Sequence, residues 1–150
     1  MAIPESLRSK IAQKILDRLA LVTEFNYREF DKVKLTSADF AEHDLPAVQA
    51  IDLGDPNTHE MVRGKRRWNI ALEIILGPTQ TYEATQKKLW DLMEYTENTI
   101  FADPKLGLGN DGVVHMHLLD SYTDLHVMDP YYLGRIEIEV EYYQPLVRQC

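Results

Sequence analysis

The segment Arg135-Ile136-Glu137-Ile138-Glu139-Val140-Glu141-Tyr142-Tyr143 constrains this chain more than any other. Apolar residues fill every even position from Ile136 to Tyr142, and charged residues fill every odd position from Arg135 to Glu141. Successive side chains of a strand point to opposite faces. The segment therefore reads as a strand that buries one face and displays Glu137, Glu139 and Glu141 in a row on the other. A sheet with one covered and one polar face is antiparallel in the main, with helices on the covered side.

The rest of the chain supplies those helices and strands. Residues 5–23 read as a helix, because Leu7, Ile11, Ile15, Leu19 and Val22 recur every three or four positions and form one apolar stripe. Pro4 precedes it and Glu5 falls in its first turn, with Ser6 as the alternative cap. A short strand fits Phe30 to Leu35, and another fits Leu45 to Leu53, where Pro46 is tolerated only at the start or on an edge. Arg67 to Leu76 is the strongest strand. Trp68, Ile70, Leu72, Ile74 and Leu76 share one face, while Asn69, Ala71, Glu73 and Ile75 share the other, so it belongs at the centre of the core. Residues 79–101 read as a second helix with Tyr82, Thr85, Leu89, Leu92, Met93, Thr96 and Ile100 inward. Thr79 or Thr81 can cap it, and Trp90 and Tyr95 fall off its stripe. Val113–Leu119 and Tyr122–Met128 are either one bent strand or a hairpin pivoting at Asp120-Ser121. The expected fold is α+β: a mostly antiparallel sheet of about five strands with two main helices on one face, in the order α-β-β-β-α-β-β. At 150 residues the chain reads as one domain, long enough to bury roughly 70% of its unfolded surface.

Several classes of function are disfavoured. No apolar run approaches the roughly 20 residues that span a bilayer, and residues 1–6 lack the basic-then-apolar pattern of a signal peptide. The one cysteine, Cys150, allows neither an internal disulfide nor a cysteine-rich metal site, so cytosolic folding is expected. The net charge is −8, and Arg63, Lys65, Arg66 and Arg67 crowd into five positions, which leaves the remainder more acidic still. Such a surface repels phosphate backbones rather than reading them. The basic run reads as a loop, either solvated or docked to an acidic partner. His115 and His117, two apart on a strand, make half of a zinc site at most. The glycine-rich stretch 107–112 leaves a helix and enters a strand, the wrong context for cradling phosphate. No nucleophile elbow, phosphate loop, HExxH or CxxC is present, so no enzyme is expected.

Taken in order, these features resemble the tail terminator (tail completion) family of long-tailed bacteriophages. The matching pieces are the opening amphipathic helix, Leu45-Pro46-Ala47-Val48 at the start of a strand, and the basic run before Trp68–Leu76. They continue with the turn Asp103-Pro104-Lys105-Leu106-Gly107-Leu108 after the long helix, similar to a "D-x-x-L-G" pattern. The last is Gly134 through Tyr142, similar to a closing "G-x-x-x-x-x-V-x-Y" strand. Together they span nearly the whole chain. The resemblance implies a structural virion protein, assembled in the host cytoplasm and placed at the tail–neck junction. Its members form a hexameric ring on the head-proximal end of the tail tube, stop tube polymerisation and offer the surface that joins the head. DNA passes through the ring. The partners implied are further copies of the chain, the tail tube protein, a neck or head-completion protein and transiently passing DNA; no membrane and no cofactor are implied. On this reading Glu137, Glu139 and Glu141 are candidates for the lumen, and Arg63, Lys65, Arg66 and Arg67 for contact with the tube or an adjacent subunit. A neck, head-closure or minor tail protein of the same virion is the first alternative. A small metal-binding domain using His115 and His117 is the second.

Overall fold

The computed structural model describes residues 3, 5–31, 45–55, 65–77, 82–124 and 131–143. Helix α1 (Leu7–Leu19) is followed by strands β1 (Tyr27–Asp31), β2 (Ala47–Gly54) and β3 (Lys65–Leu76). Helix α2 (Tyr82–Ile100), a short 3-10 turn and strands β4 (Val113–Asp124) and β5 (Tyr132–Tyr143) complete the order. The fold is α+β, with one five-stranded sheet in the order β1-β2-β3-β5-β4. Every neighbouring pair is antiparallel except β1 with β2, which are parallel. The edges are therefore β1 and β4, and β3 lies at the centre as its two apolar faces require.

The local chemistry explains the boundaries. Ser6 is the N-cap of α1, its Oγ accepting from the Ser9 amide at 3.1 Å, so Glu5 lies outside the helix rather than in its first turn. The first strand begins earlier than its alternation suggested, at Tyr27, and residues 32–35 lie outside the described set. The candidate caps Thr79 and Thr81 lie outside it too. β3 starts two residues before Arg67, because Lys65 and Arg66 already pair with Tyr143 and Tyr142. β4 is one continuous strand, bent at an irregularity between Leu118 and Asp120, and not a hairpin.

The core lies between the helices and one face of the sheet. Ile11, Ile15 and Leu19 of α1 and Leu89, Leu92, Met93 and Ile100 of α2 meet Trp68, Ile70, Leu72 and Ile74 of β3 and Ile136, Ile138, Val140 and Tyr142 of β5. Each fully buried aliphatic side chain contributes about 1.5–3 kcal/mol before conformational entropy is counted. α2 approaches β5 closely because Gly134 has no side chain. A Cβ there would stand 2.5 Å from Met93 Sδ and 3.1 Å from Leu89 Cδ1.

The turn after α2 is built by one carboxylate. Asp103 accepts from the Gly107 amide at 2.7 Å and from the Lys105 amide at 3.0 Å. Leu106 adopts φ 55 and Gly107 φ 69, a left-handed pair that returns Leu106 and Leu108 to the core. Those amides, the Lys105 amide first, hold the Asp103 carboxyl below its ordinary pKa, helped by Arg18. The D-x-x-L-G pattern thus has a folding cause.

Candidate functional site: the open face and edges of the sheet

No helix among the described residues covers the second face of the sheet, and its character changes along the strands. At one end Ala47, Ile75 and Leu133 form a small apolar cluster, flanked by Tyr27, Leu45 and Tyr131. Toward the other end the side chains become ionic, and strand alternation with the β3–β5 register decides their neighbours. Glu73 faces Arg135, Ala71 faces Glu137, Asn69 faces Glu139 and Arg67 faces Glu141.

Two polar groups result. In the first, Glu73 is 1% exposed. It accepts from Arg135 Nη1 at 3.3 Å and from Gln49 Nε2 at 3.2 Å. Arg135 Nε also lies 3.1 Å from Glu137 Oε1, so one guanidinium serves two carboxylates. In the second, Glu141 takes Lys65 Nζ at 2.6 Å and His117 Nε2 at 3.2 Å, with Arg67 Nε at 4.0 Å. The hydrogen bond from Lys65 is the main cause holding the Glu141 carboxyl below its usual value. His117 adds to it and burial opposes it. The same bond pushes the Lys65 ammonium above its usual value.

Most of the residues singled out from the sequence therefore meet, but not as expected. Glu137, Glu139 and Glu141 do share one face. Their repulsion is met by cations of the same chain, Arg135 for Glu137 and Lys65 for Glu141, while Glu139 makes no ion pair among the described residues. The basic run is not a loop from Lys65 onward: Lys65, Arg66 and Arg67 are strand residues. Alternation splits them. Lys65 and Arg67 turn to Glu141, whereas Arg66 lies opposite Tyr142 on the helix side, with its Nε buried and without a hydrogen bond. Arg8 reaches the same corner, donating from Nε to Tyr142 Oη at 2.7 Å with its guanidinium 5.2 Å above the Trp68 ring. Arg63 lies outside the described residues.

His115 and His117 sit on the open side of β4 with ring centroids 4.7 Å apart, and His117 turns to Glu141. No group of three or more His, Cys, Asp or Glu side chains among the described residues is placed to hold a metal ion. No helix among these residues is long and apolar enough to cross a membrane.

Sequence reasoning missed the Gln49–Glu73–Arg135 group and the β4 edge. A signal for the first was present: Glu73 interrupts an otherwise apolar strand, and such a charge demands a partner. The β4 edge had no comparable signal, because the bend at Leu118–Asp120 breaks the alternation that would have separated its faces. No protein-family model matches the chain, and no curated protein matches it.

Proposed function

We propose that the chain is a structural virion protein of the tail-terminator type. Copies of it form a hexameric ring at the head-proximal end of a phage tail tube. The ring stops tube growth and joins the tail to the head, and DNA passes through its centre. The observation that carries this reading is the sheet itself: a face that no helix among the described residues covers, carrying Glu137 and Glu139 in succession on β5, between the edge strands β1 and β4. A conduit for DNA must not retain DNA, and residual carboxylate charge opposes binding of the phosphate backbone. On this reading Glu137 and Glu139 look into the lumen. Glu141 acts there as part of a near-neutral cluster with Lys65, which narrows the repulsive stripe to the middle of β5 and Asp120 of β4.

Arg66 takes over the role first given to the whole basic run. Among the described members Lys65, Arg66 and Arg67, it is the one whose cation does not turn to Glu141, and it suits an acidic site on the tube protein. Reversing Arg67 as well would set two carboxylates opposite each other on β3 and β5, so only the single change Arg66→Glu tests docking cleanly. The deciding experiment is negative-stain electron microscopy of the purified protein mixed with tail tubes. Six-fold rings capping one end of each tube are expected. Bare tubes with scattered particles would overturn the terminator reading in favour of a neck or head-closure role.

A further inference from the structure

The two edges of the sheet are unlike, and the difference points to how copies meet. β4 is twelve residues long, and past Met116, whose amide is taken by Pro104 O at 2.9 Å, both of its faces are exposed from His117 to Tyr122. Leu118, Leu119 and Tyr122 are 48, 47 and 41% exposed. An edge with large apolar side chains and neither proline nor lysine to blunt it is a template for another strand, with the Ser121 amide the one position already taken by a side chain among the described residues, Asp120 Oδ1 at 2.8 Å. Beside it, α2 and β4 enclose a groove of about 380 Å³ with Met93, Trp90, Tyr122 and Thr123 in its walls and Glu94 and Glu97 among its lining residues. The last turn of α2 carries no basic residue, so the negative end of that helix adds to the two carboxylates. The groove asks for an apolar strand bearing a cation.

The opposite edge, Tyr27-Arg28-Glu29-Phe30-Asp31, is mixed rather than apolar, but its helix side carries that cation beside an aromatic ring, in Arg28 (whose Nη1 donates to Phe25 O at 3.2 Å) and Phe30. β1 is short, and Arg28 and Glu29 are exposed on it. Arg28 pairs with the core residue Val48, which places it on the helix side of the sheet, the side on which the groove opens. Strand direction agrees. β1 runs with β2, and three antiparallel steps separate β2 from β4, so β4 runs opposite to β1. Setting β1 of one copy beside β4 of the next, without inverting either, gives an antiparallel pair. It also brings Arg28 toward Glu94 and Glu97. The symmetric alternative, β4 against β4, would face those two glutamates with their own copies, whereas the head-to-tail pairing leaves one like-charge meeting, Glu29 with Asp120 on the open face, against the gain at Arg28.

We infer that this chain self-associates head to tail, β4 of one copy pairing with β1 of the next and Arg28 entering the acidic groove between α2 and β4. Each copy uses both edges once, so the contact is heterologous and closes into a ring when its rotation allows. The inference deepens the ring reading above and rests on it.

Cross-linking tests it. In a Cys150→Ser background, the double variant Glu29→Cys/Asp120→Cys is treated with a short bis-maleimide, alone and with tail tubes, beside each single variant. A ladder of covalent oligomers from the double variant, with none from either single variant, is the expected result. Cross-linked dimers from Asp120→Cys alone would mean β4 meets β4 and would overturn the proposal. A second arm reads self-association by sedimentation. The pair Glu94→Lys/Glu97→Lys should weaken it about tenfold or more, and adding Arg28→Glu should restore most of the loss. An unchanged constant would overturn the proposal. Rings seen on tubes without any ladder would overturn the edge pairing and leave the ring reading standing. An absence of self-association both in solution and on tubes would overturn both.

Discussion

The two faces of β5 show what this sheet spends on folding and what it leaves for other work. On one face Ile136, Ile138, Val140 and Tyr142 are all within 1% of full burial. Their contribution is non-directional and large, and it depends on volume. On the other, Arg135, Glu137 and Glu141 are only partly covered and take part in ion pairs with one another or with β3 and β4. Charge pairs near a surface nearly cancel against desolvation and side-chain entropy, so that face can carry almost any pattern at little cost to stability. The covered face is dictated by folding, and the open face is where sequence was free to answer another demand.

The sharpest way to break this comparison is to delete volume on the covered face. Ile138→Ala should lower unfolding free energy by about 2–5 kcal/mol, the cost of lost burial plus an unfilled cavity. Urea denaturation at one fixed protein concentration checks it, since self-association would otherwise shift the midpoint. A loss below about 1 kcal/mol would mean that β5 is not the core strand described.

Glu73 is the exception on the open face, and it predicts the next largest effect. Glu73→Leu should cost about 3 kcal/mol, because Arg135 keeps its charge in a partly covered site and loses this carboxylate. Replacing all three members together, Gln49→Leu, Glu73→Leu and Arg135→Met, should recover most of that loss, as apolar packing substitutes for the ion pair. If the single and triple variants are equally unstable, the site needs its charges for more than mutual compensation.

Gly134 lies on the covered face, where α2 comes closest to β5. Gly134→Ala should cost about 1–3 kcal/mol through overpacking against Met93 and Leu89. Met93→Ala in the same chain should relieve part of it. Equal costs with and without Met93 would place the strain elsewhere.

Much of this architecture was legible in the sequence, for reasons particular residues make plain. The alternation in β3 and β5 and the stripes of α1 and α2 are periodic, and periodicity survives without knowledge of neighbours. The element order, the centrality of β3 and the single face of Glu137, Glu139 and Glu141 followed from it. What was not legible is register. Only the register Arg67–Glu141 and Glu73–Arg135 shows that the carboxylate row is compensated from within the chain. Likewise a run of basic residues looks like one feature in sequence, yet a strand sends Arg66 one way and Lys65 and Arg67 the other. The parallel pairing of β1 with β2 was not legible either, because alternation marks the faces of a strand and not the direction of its neighbour.

The smallest expected effect is also the most specific to the ionic cluster. Glu141 titrates below its ordinary value in the folded protein, chiefly because Lys65 donates to it. Its contribution is therefore fully present above the ordinary carboxylate value of about 4.3 and fades as pH falls through the lowered folded value. Lys65 titrates above its ordinary value of about 10.4, so its share is fully present below that value and fades as pH rises through the raised one. Between these limits the pair contributes a constant amount. Glu141→Gln should reduce stability slightly at neutral pH and flatten the acid limb of the stability curve relative to the parent chain. It should also remove the alkaline loss assigned to Lys65. The difference between the two curves is the useful quantity, because the other carboxylates titrate in both proteins and cancel. Parallel curves from acid to alkaline pH would mean that Glu141 and Lys65 do not hold each other in solution. Glu141 would then join Glu139 as a carboxylate without an ion pair among the described residues, and the repulsive stripe on the open face would extend toward the end of the strand.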